Sequence, residues 1–344
     1  MSRNMIGANQ ELFATLERYC LVRDQPIESA GGGRYVATNA EEKRLLKDLK
    51  VGTCIRFGNH RSLTHLFLSD SHYIGTVGFE FEPGAPNLTL IENNAGLTVC
   101  LLVESRASPL ASPPTVRNIV EVGSRADVDY SGHESRLIES LFPSIQVLQS
   151  TEPLDDDSLW RLCLMICAEE CKQGGSWIEH ELASELVALT DLNIPSMPYS
   201  AICRSIFDAD PRSLFMALYR CLEATYSHQS SRRLIDKLAL NISWQDMAAA
   251  LESEIGWHPQ ESASLNVVLQ HTVESDLEAI CDCLRVEVGK DVQASAGRAV
   301  YSLRNSVVHF RPGTREIGVD EIDWNRLCLL LIRVVFDVFI QAYS

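Results

Sequence analysis

The sequence predicts an α+β protein, with a mixed N-terminal domain that holds a small antiparallel sheet and an all-helical C-terminal domain. Short β-branched and aromatic runs, separated by Gly, Pro and Asn turns, occupy about residues 51–122. From residue 132 onward, apolar residues recur mainly at helical spacing. A Pro-containing break at 193–199 separates two parts, so we expect domains at 1–192 and 198–344.

The first elements expected are helices over residues 8–23 and 40–49, with a glycine turn at Ala30–Arg34 between them. A phosphate-binding loop would carry Lys-Ser/Thr after its glycines, and this turn does not, so a plain turn is favoured. The strands are expected at Cys54–Phe57, Tyr73–Phe81, Leu88–Ile91, Leu97–Val103 and Val116–Val122. The Pro-rich segment 106–114 is expected to be a loop.

The remaining chain is expected to be helical, and Asp155–Ser158 is a typical helix start. Helices are predicted at residues 133–149, 156–173, 176–189, 198–208, 211–227, 243–255, 262–286, 293–311 and 320–343. The long apolar run Leu327–Phe339 is interrupted by Arg333 and Asp337. It therefore predicts a buried helix rather than a membrane span, and no membrane association is expected.

Composition narrows the function classes. The 344 residues are 46% hydrophobic and carry a net charge of −16. This composition argues against disorder, and the acidic balance argues against a basic, non-specific nucleic-acid clamp. The same balance suits restraint against random binding, or an acidic face for a protein partner. Eleven cysteines in a chain without a recognisable export signal predict reduced thiols and a cytoplasmic location.

No metal or cofactor site is expected. Cys163, Cys167 and Cys171 fall on one helical stripe, where small buried apolar residues are a better interpretation than a thiolate ligand set. Cys281 and Cys283 are interpreted in the same way. The N-terminal histidines show no tight ligand spacing and are interpreted as scattered loop residues; they are His60, His65, His72, His133 and His180.

The segment Tyr301–Arg311 carries most of the functional argument. Its apolar residues form one stripe of a helix: Val300, Leu303, Val307 and Phe310. Arg304 lies on the flank of that stripe, whereas Asn305 and His309 lie nearly opposite it, facing solvent or a partner surface. Arg binds phosphate oxygens, and His exchanges a proton near neutral pH.

His309 is expected in or near the last helical turn, because Pro312 and Gly313 stop the helix. Carbonyl dipoles at a helix end favour a charged imidazolium, and a neighbouring Arg304 opposes it. A bound phosphate would relieve that conflict. The sequence therefore predicts an anion site at this helix end.

The motif resembles the HEPN superfamily, whose hallmark is an Arg, often followed by a polar residue, and a His after four to six intervening residues. Arg304, Asn305 and His309 match it. The upstream helix from Phe215 to Tyr226 also looks like a helix of that domain. The resemblance covers about residues 198–344 and implies a C-terminal HEPN-like helical bundle.

The resemblance further implies a homodimer in which two such domains form one composite site and cleave RNA without a metal. The ribose 2′-OH would attack the adjacent phosphorus, with His309 as general base or acid and Arg304 stabilising charge. Asn305 would orient His309 or bind the scissile phosphate. Arg311 and Arg315 could contact flanking phosphates, or be solvated loop residues.

Three further residues are expected around the site: Arg220, Glu223 and Tyr301. A structural Arg/Glu pair is the favoured interpretation of the first two. The leading hypothesis is a toxin or anti-phage endoribonuclease whose N-terminal domain senses a phage trigger or a protein partner. Two alternatives stay open. One is an inactive assembly or nucleotide-binding module, and the other places the function in the N-terminal sheet, with a helical domain that only dimerises.

Overall fold

A computed structural model of the chain describes residues 4–28, 33–80, 87–121, 130–174, 176–194, 197–309 and 321–343. The fold is mixed α+β, as predicted. The chain divides into two compact units, Met1–Leu159 and Trp160–Ser344. The first unit holds the sheet, and the second is helical in its described residues.

The division between the two units, at residues 159 and 160, lies inside a helix and precedes the boundary expected at 193–199. The physical reason is that residues before this boundary pack within the helical unit. The Trp177 indole donates to the Asp208 carbonyl at 3.0 Å, and the Trp177 carbonyl accepts from Asn325 at 2.9 Å. The Pro-containing break is therefore a connection within one packed unit.

The sheet of the first unit has five strands in the order β1-β2-β3-β5-β4, and every neighbouring pair is antiparallel. The strands are β1 (Lys50–Phe57), β2 (Arg61–Leu68), β3 (Ser71–Val77), β4 (Leu88–Ile91) and β5 (Ile145–Ser150). The predicted antiparallel sheet is confirmed. Its strand β2 was not among the predicted runs, and β5 lies in a segment predicted to be helical.

The helices of this unit are α1 (Met5–Leu21), α2 (Ala40–Asp48), α3 (Ala95–Ser105), α4 (Pro113–Glu121) and α5 (Ser135–Glu139). The predictions of strands at Leu97–Val103 and Val116–Val122 were wrong, because Leu97–Val103 lie in α3 and residues 116–121 lie in α4. Val122 lies outside the described residues. Helix α3 is buried almost all round, so its apolar run lacks the periodicity that would distinguish it from a buried strand. Asn94 starts it by accepting from the Leu97 amide at 2.9 Å.

The prediction of a helix over 133–149 was also wrong: only Ser135–Glu139 is helical, as α5. Strand β5 follows, paired with both β3 and β4. These partners lie far back in the chain, so local propensity could not reveal them. Helix α3 covers the sheet closely, since a Cβ added at Gly75 of β3 would lie 2.1 Å from a methyl of Leu101.

The second unit is built from helices, which are α6 (Asp156–Cys171), α7 (His180–Leu189), α8 (Tyr199–Ile206), α9 (Arg212–Glu223), α10 (His228–Leu238), α11 (Trp244–Ile255), α12 (Glu261–Val268), α13 (Glu274–Cys283), α14 (Val292–Val308) and α15 (Trp324–Tyr343). The helix predicted over 262–286 is divided into α12 and α13, and α10 was not predicted. Helix α6 begins at the end of the first unit.

Helix α15 is the central helix of this unit, and it packs against α7, α9 and α13. Leu327 and Phe339 are fully buried, which confirms the predicted buried helix. Arg333 is exposed on its outer side, where it pairs with Glu185 at 3.2 Å. Among the helices that the structure describes, none combines the length and apolarity needed to cross a bilayer.

Candidate functional site at the end of helix α14

Helix α14 presents the predicted segment. The Asp291 side chain starts the helix by accepting from the Ala294 amide at 2.9 Å. Val300 and Leu303 are buried, as the apolar stripe predicted. The helix ends at Val308, earlier than expected, and the backbone of His309 is extended with φ −112° and ψ 110°. His309 is therefore the residue that directly follows the helix.

The backbone of His309 keeps one hydrogen bond to the helix. Its amide donates to the Asn305 carbonyl at 3.0 Å, which closes the last turn. Its side chain is exposed to solvent. An imidazole in this position can reach a ligand or a second protein surface, as the helical geometry predicted.

Arg304 lies one turn earlier in a very different environment. Its side chain is only 16% exposed, and its guanidinium contacts two carboxylates. Glu223, the last residue of α9, lies 3.4 Å away, and Glu261, the first residue of α12, lies 3.6 Å away. Three helices thus meet at one cation.

Two further groups complete the surroundings of Arg304. The guanidinium carbon lies 5.8 Å from the centre of the Tyr219 ring, within cation–π range. The Asn305 side-chain oxygen accepts from Arg304 at 3.1 Å. The Nε–H of Arg304 is buried and has no hydrogen-bond partner among the described residues. The Asn305 oxygen thus binds Arg304, whereas an orienting role toward His309 was one expectation from the sequence.

The two carboxylates leave Arg304 more than neutralised. Burial raises the pKa of Glu223, an effect that Arg304 opposes and that the nearby charge of Glu261 reinforces. Two acids that share one cation cannot both be fully compensated. The charge of Arg220, on the same helix as Glu223, balances part of the excess. An incoming phosphate must still displace a carboxylate to reach Arg304.

Glu223 was expected to pair with Arg220, and the structure gives it a second cation. Glu223 contacts Arg304 at 3.4 Å, and the charge of Arg220, exposed on the same helix, also lowers the pKa of Glu223. Tyr301 is half-buried on α14. Two of the expected phosphate-binding residues, Arg311 and Arg315, lie outside the described residues.

A groove of about 600 Å³ lies beside the end of α14, where Val307 contributes to its wall. Arg204, Arg212 and Arg220 line it together with Asp208 and Asp210. Three guanidiniums face two carboxylates there, so the groove carries a local positive excess in an otherwise acidic chain.

Two of the groove arginines already have partners. Arg212 pairs with Asp210 at 2.7 Å, and Arg204 lies over the Trp160 ring at 4.9 Å. The exposed Arg204 and Arg220 side chains can both turn toward a ligand phosphate, because neither is buried. Arg204 was not a candidate from the sequence, because most of the residues that line the groove with it belong to α9 or to the segment just before α9.

The histidines of the first unit are not all loop residues. His65 of β2 and His72 of β3 stack on paired strands, with ring nitrogens 2.9 Å apart. Burial, and then the neighbouring His72, lower the pKa of His65. Among the described residues, one group of three metal-ligating side chains lies close together, the thiols of Cys163, Cys167 and Cys203.

Sequence reasoning missed Glu261 and Tyr219, the residues that hold Arg304 together with Glu223. Tyr219 fitted an apolar helix face, and Glu261 fitted a favourable acid at a helix N-terminus. Neither position carried a signal that linked it to Arg304. Comparison of the chain with protein-family models, with curated proteins and with solved structures found no match.

Proposed function

We propose that this protein is a metal-independent endoribonuclease with a HEPN-like C-terminal domain, acting as a toxin or anti-phage effector in a reducing cytoplasm. One observation carries the proposal. Arg304 is held rigidly at the end of α14 by groups from three helices, while His309 follows the helix with an exposed imidazole. A fixed cation beside a free proton-transfer group is the pair that phosphodiester cleavage requires.

The proposed cleavage needs proton transfer, stabilisation of negative charge and a ribose 2′-OH. His309 removes the proton of the 2′-OH or supplies one to the leaving 5′-oxygen. Arg304 stabilises the negative charge that develops on the phosphorane oxygens. The products are a 2′,3′-cyclic phosphate and a 5′-OH, and DNA is not a substrate because it lacks the nucleophile.

One chain supplies a single Arg304 and a single His309. A second copy would supply the complementary set, so that one His acts as base and the other as acid. The arginine groove beside Val307 supports the ribonuclease proposal, because Arg204 and Arg220 would bind the phosphates of the RNA strand that leads into the site.

The ion pairs that Arg304 already makes favour a second candidate function. Arg304 is mostly buried and has two carboxylates within 3.6 Å of its guanidinium, which also fits a purely structural role for Arg304. In that case the domain is an inactive assembly or nucleotide-binding module that works with a partner protein. Cleavage and binding experiments separate the two candidates.

The deciding experiment incubates the full-length protein with single-stranded RNA in EDTA. We expect cleavage to fall about 10²–10³-fold in Arg304→Ala and about 10²–10⁴-fold in His309→Ala. Arg298→Ala, an exposed arginine on the same helix, and His258→Ala, an exposed histidine, are the matched controls. New 5′ ends should accept kinase labelling without phosphatase treatment.

Folding must be checked for each variant, since Arg304 is mostly buried. Arg304→Lys keeps the charge but loses the planar fork, and should stay folded with reduced activity. Intact RNA with the wild-type protein, tested alone and with lysate of phage-infected cells as a source of activator, would contradict the enzyme and favour the assembly module.

A further inference from the structure

Three buried thiols converge in the helical unit, away from Arg304. Cys163 and Cys167 are one turn apart on α6, and Cys203 lies on α8. The sulfur of Cys203 is 3.6 Å from that of Cys163 and 3.7 Å from that of Cys167. All three residues are at most 1% exposed. Cys171, on the same stripe of α6, lies outside this group.

The spacing of the sulfurs matches that of a metal–thiolate centre. Sulfurs bound to one ion at about 2.3 Å in tetrahedral directions lie about 3.8 Å apart. The two observed distances fall within a few tenths of an ångström of that value, and all three sulfurs lie within 4.8 Å of one another. The side chains could hold an ion with little movement of either helix.

The three thiols also contact one another through hydrogen bonds. Cys167 and Cys203 both donate to the sulfur of Cys163, and these contacts lower the pKa of Cys163. Arg204, next to Cys203 in the chain, contributes in the same direction. Burial raises the pKa of the other two thiols, so they would lose their protons only to a bound ion.

We propose that Cys163, Cys167 and Cys203 form a three-sulfur site for a thiophilic d¹⁰ ion, Cu⁺ or Zn²⁺. In the described part of the chain, no carboxylate or imidazole joins the three sulfurs. A set of three sulfurs suits Cu⁺, which thiolates select, better than Zn²⁺, which usually takes four ligands. We therefore expect Cu⁺ to bind more tightly than Zn²⁺.

The bound ion would have a structural role. It would join α6 to α8 at the point where the sulfurs already touch, and three protons would be released or shared with solvent as the thiolates form. The site uses no residue of the proposed ribonuclease centre. Its test therefore stands apart from the test of RNA cleavage.

The experiment titrates the reduced full-length protein anaerobically with Cu⁺ or Zn²⁺ and counts bound ions by native mass spectrometry. We expect one ion per chain, with the unfolding midpoint raised by about 5–10 °C when the ion exceeds its Kd about a hundredfold. Cys163→Ala, Cys167→Ala and Cys203→Ala should each lose the ion. Cys281→Ala, a buried thiol of α13 outside the group, should keep it.

Circular dichroism of the apo variants shows whether each is folded. If an alanine variant does not fold, the corresponding serine variant replaces it, and a thiolate-to-metal charge-transfer band in the wild type gives a second readout. Three results would overturn the site: no ion on the folded, reduced protein; equal binding by the cluster variants; or a Cys203 disulfide in place of bound ion under the same reducing conditions.

Discussion

The guanidinium of Arg304 and the carboxylate of Glu223 lie 3.4 Å apart, in surroundings where burial raises the pKa of Glu223 despite that contact. Desolvation therefore offsets much of the attraction between them. The pair contributes little net stability but fixes where the cation lies. This relationship identifies Glu223 as a positioning residue for Arg304, which can be tested by kinetics.

Glu223→Gln should release Arg304 without unfolding the protein. We expect the free energy of unfolding to change by less than about 1 kcal/mol. If RNA is cleaved, KM should fall because phosphate no longer competes with the carboxylate, and kcat should fall about tenfold because the guanidinium loses its orientation. Glu254→Gln, an exposed acid on α11, is the control. Unchanged kcat and KM in Glu223→Gln would show that the pair is only structural.

The arginine groove should set RNA affinity rather than the rate of chemistry. Arg204→Ala combined with Arg220→Ala is expected to raise KM about tenfold and to reduce the slope of log affinity against log salt by about 2. Arg232→Ala combined with Arg233→Ala, both exposed on α10, provides the matched loss of two charges. A change in kcat alone, with an unaltered salt slope, would remove the groove from the path of the RNA.

A composite site makes a specific prediction for mixed variants. Arg304→Ala and His309→Ala, each strongly reduced in activity, should regain part of the activity when mixed and allowed to exchange subunits. A mixed pair carries one intact arginine and one intact histidine, and it lacks only the second histidine and the second arginine. Recovery should exceed either variant alone by about tenfold or more. Sedimentation equilibrium checks that dimers are present. Dimers that exchange but recover no activity would place the whole site within one chain.

The sheet unit should lose stability in mild acid through His133. Burial, and then the charge of Arg34, lower the pKa of His133 to about 4, whereas an unfolded histidine has its ordinary pKa of 6.5. The unfolded state therefore binds the extra proton first. Stability is complete above about pH 6.5 and declines as the pH falls toward about 4.

Hydrogen exchange of peptides from β2 and β3 measures this loss within the unit, whereas tryptophan fluorescence cannot because all five tryptophans lie at Trp160 or later. His133→Phe should reduce the pH dependence between 6.5 and 4, leaving the part due to His65, whose pKa is also lowered by burial. His60→Ala, an exposed residue, should preserve it. An equally steep decline in His133→Phe would assign the effect to other groups.

Gly75→Ala should destabilise the sheet unit by about 1–3 kcal/mol, because overpacking forces strand β3 and helix α3 apart. The added methyl would meet both methyls of Leu101 at 2.1 and 2.7 Å. Gly33→Ala, where nothing lies within 4 Å, is the control. Hydrogen exchange of α3 and β3 reports the change. Wild-type protection in Gly75→Ala would contradict the close packing of α3 on the sheet.

The helical unit was largely predictable from the sequence, because its amphipathic helices carry a clear period and clear ends. The sheet unit was less so. Helix α4 begins with Pro113 and Pro114, a signal for a first helical turn that was outweighed by its β-branched residues. Helix α3 is apolar all round, and β5 depends on partners distant in the chain.

The candidate site was predictable only in its local part. Spacing along one helix predicted that His309 lies away from the apolar stripe. Its side chain is exposed, but His309 follows the helix instead of belonging to it. The carboxylates of Glu223 and Glu261 reach Arg304 from two other helices, and such long-range meetings leave no mark in a local pattern. The same holds for Cys203, whose partners on α6 were recognised as a stripe.

The two chemical groups at the end of α14 also differ in how firmly the fold holds them. Arg304 belongs to the hydrogen-bonded helix and is clamped by neighbouring helices, whereas the His309 side chain stands on extended backbone just beyond it. The fold therefore fixes the position of the Arg304 guanidinium and leaves the His309 imidazole free to change its position. A surface that packed against His309, from a second copy or another partner, would tune the proposed RNA cleavage without disturbing the core that holds Arg304.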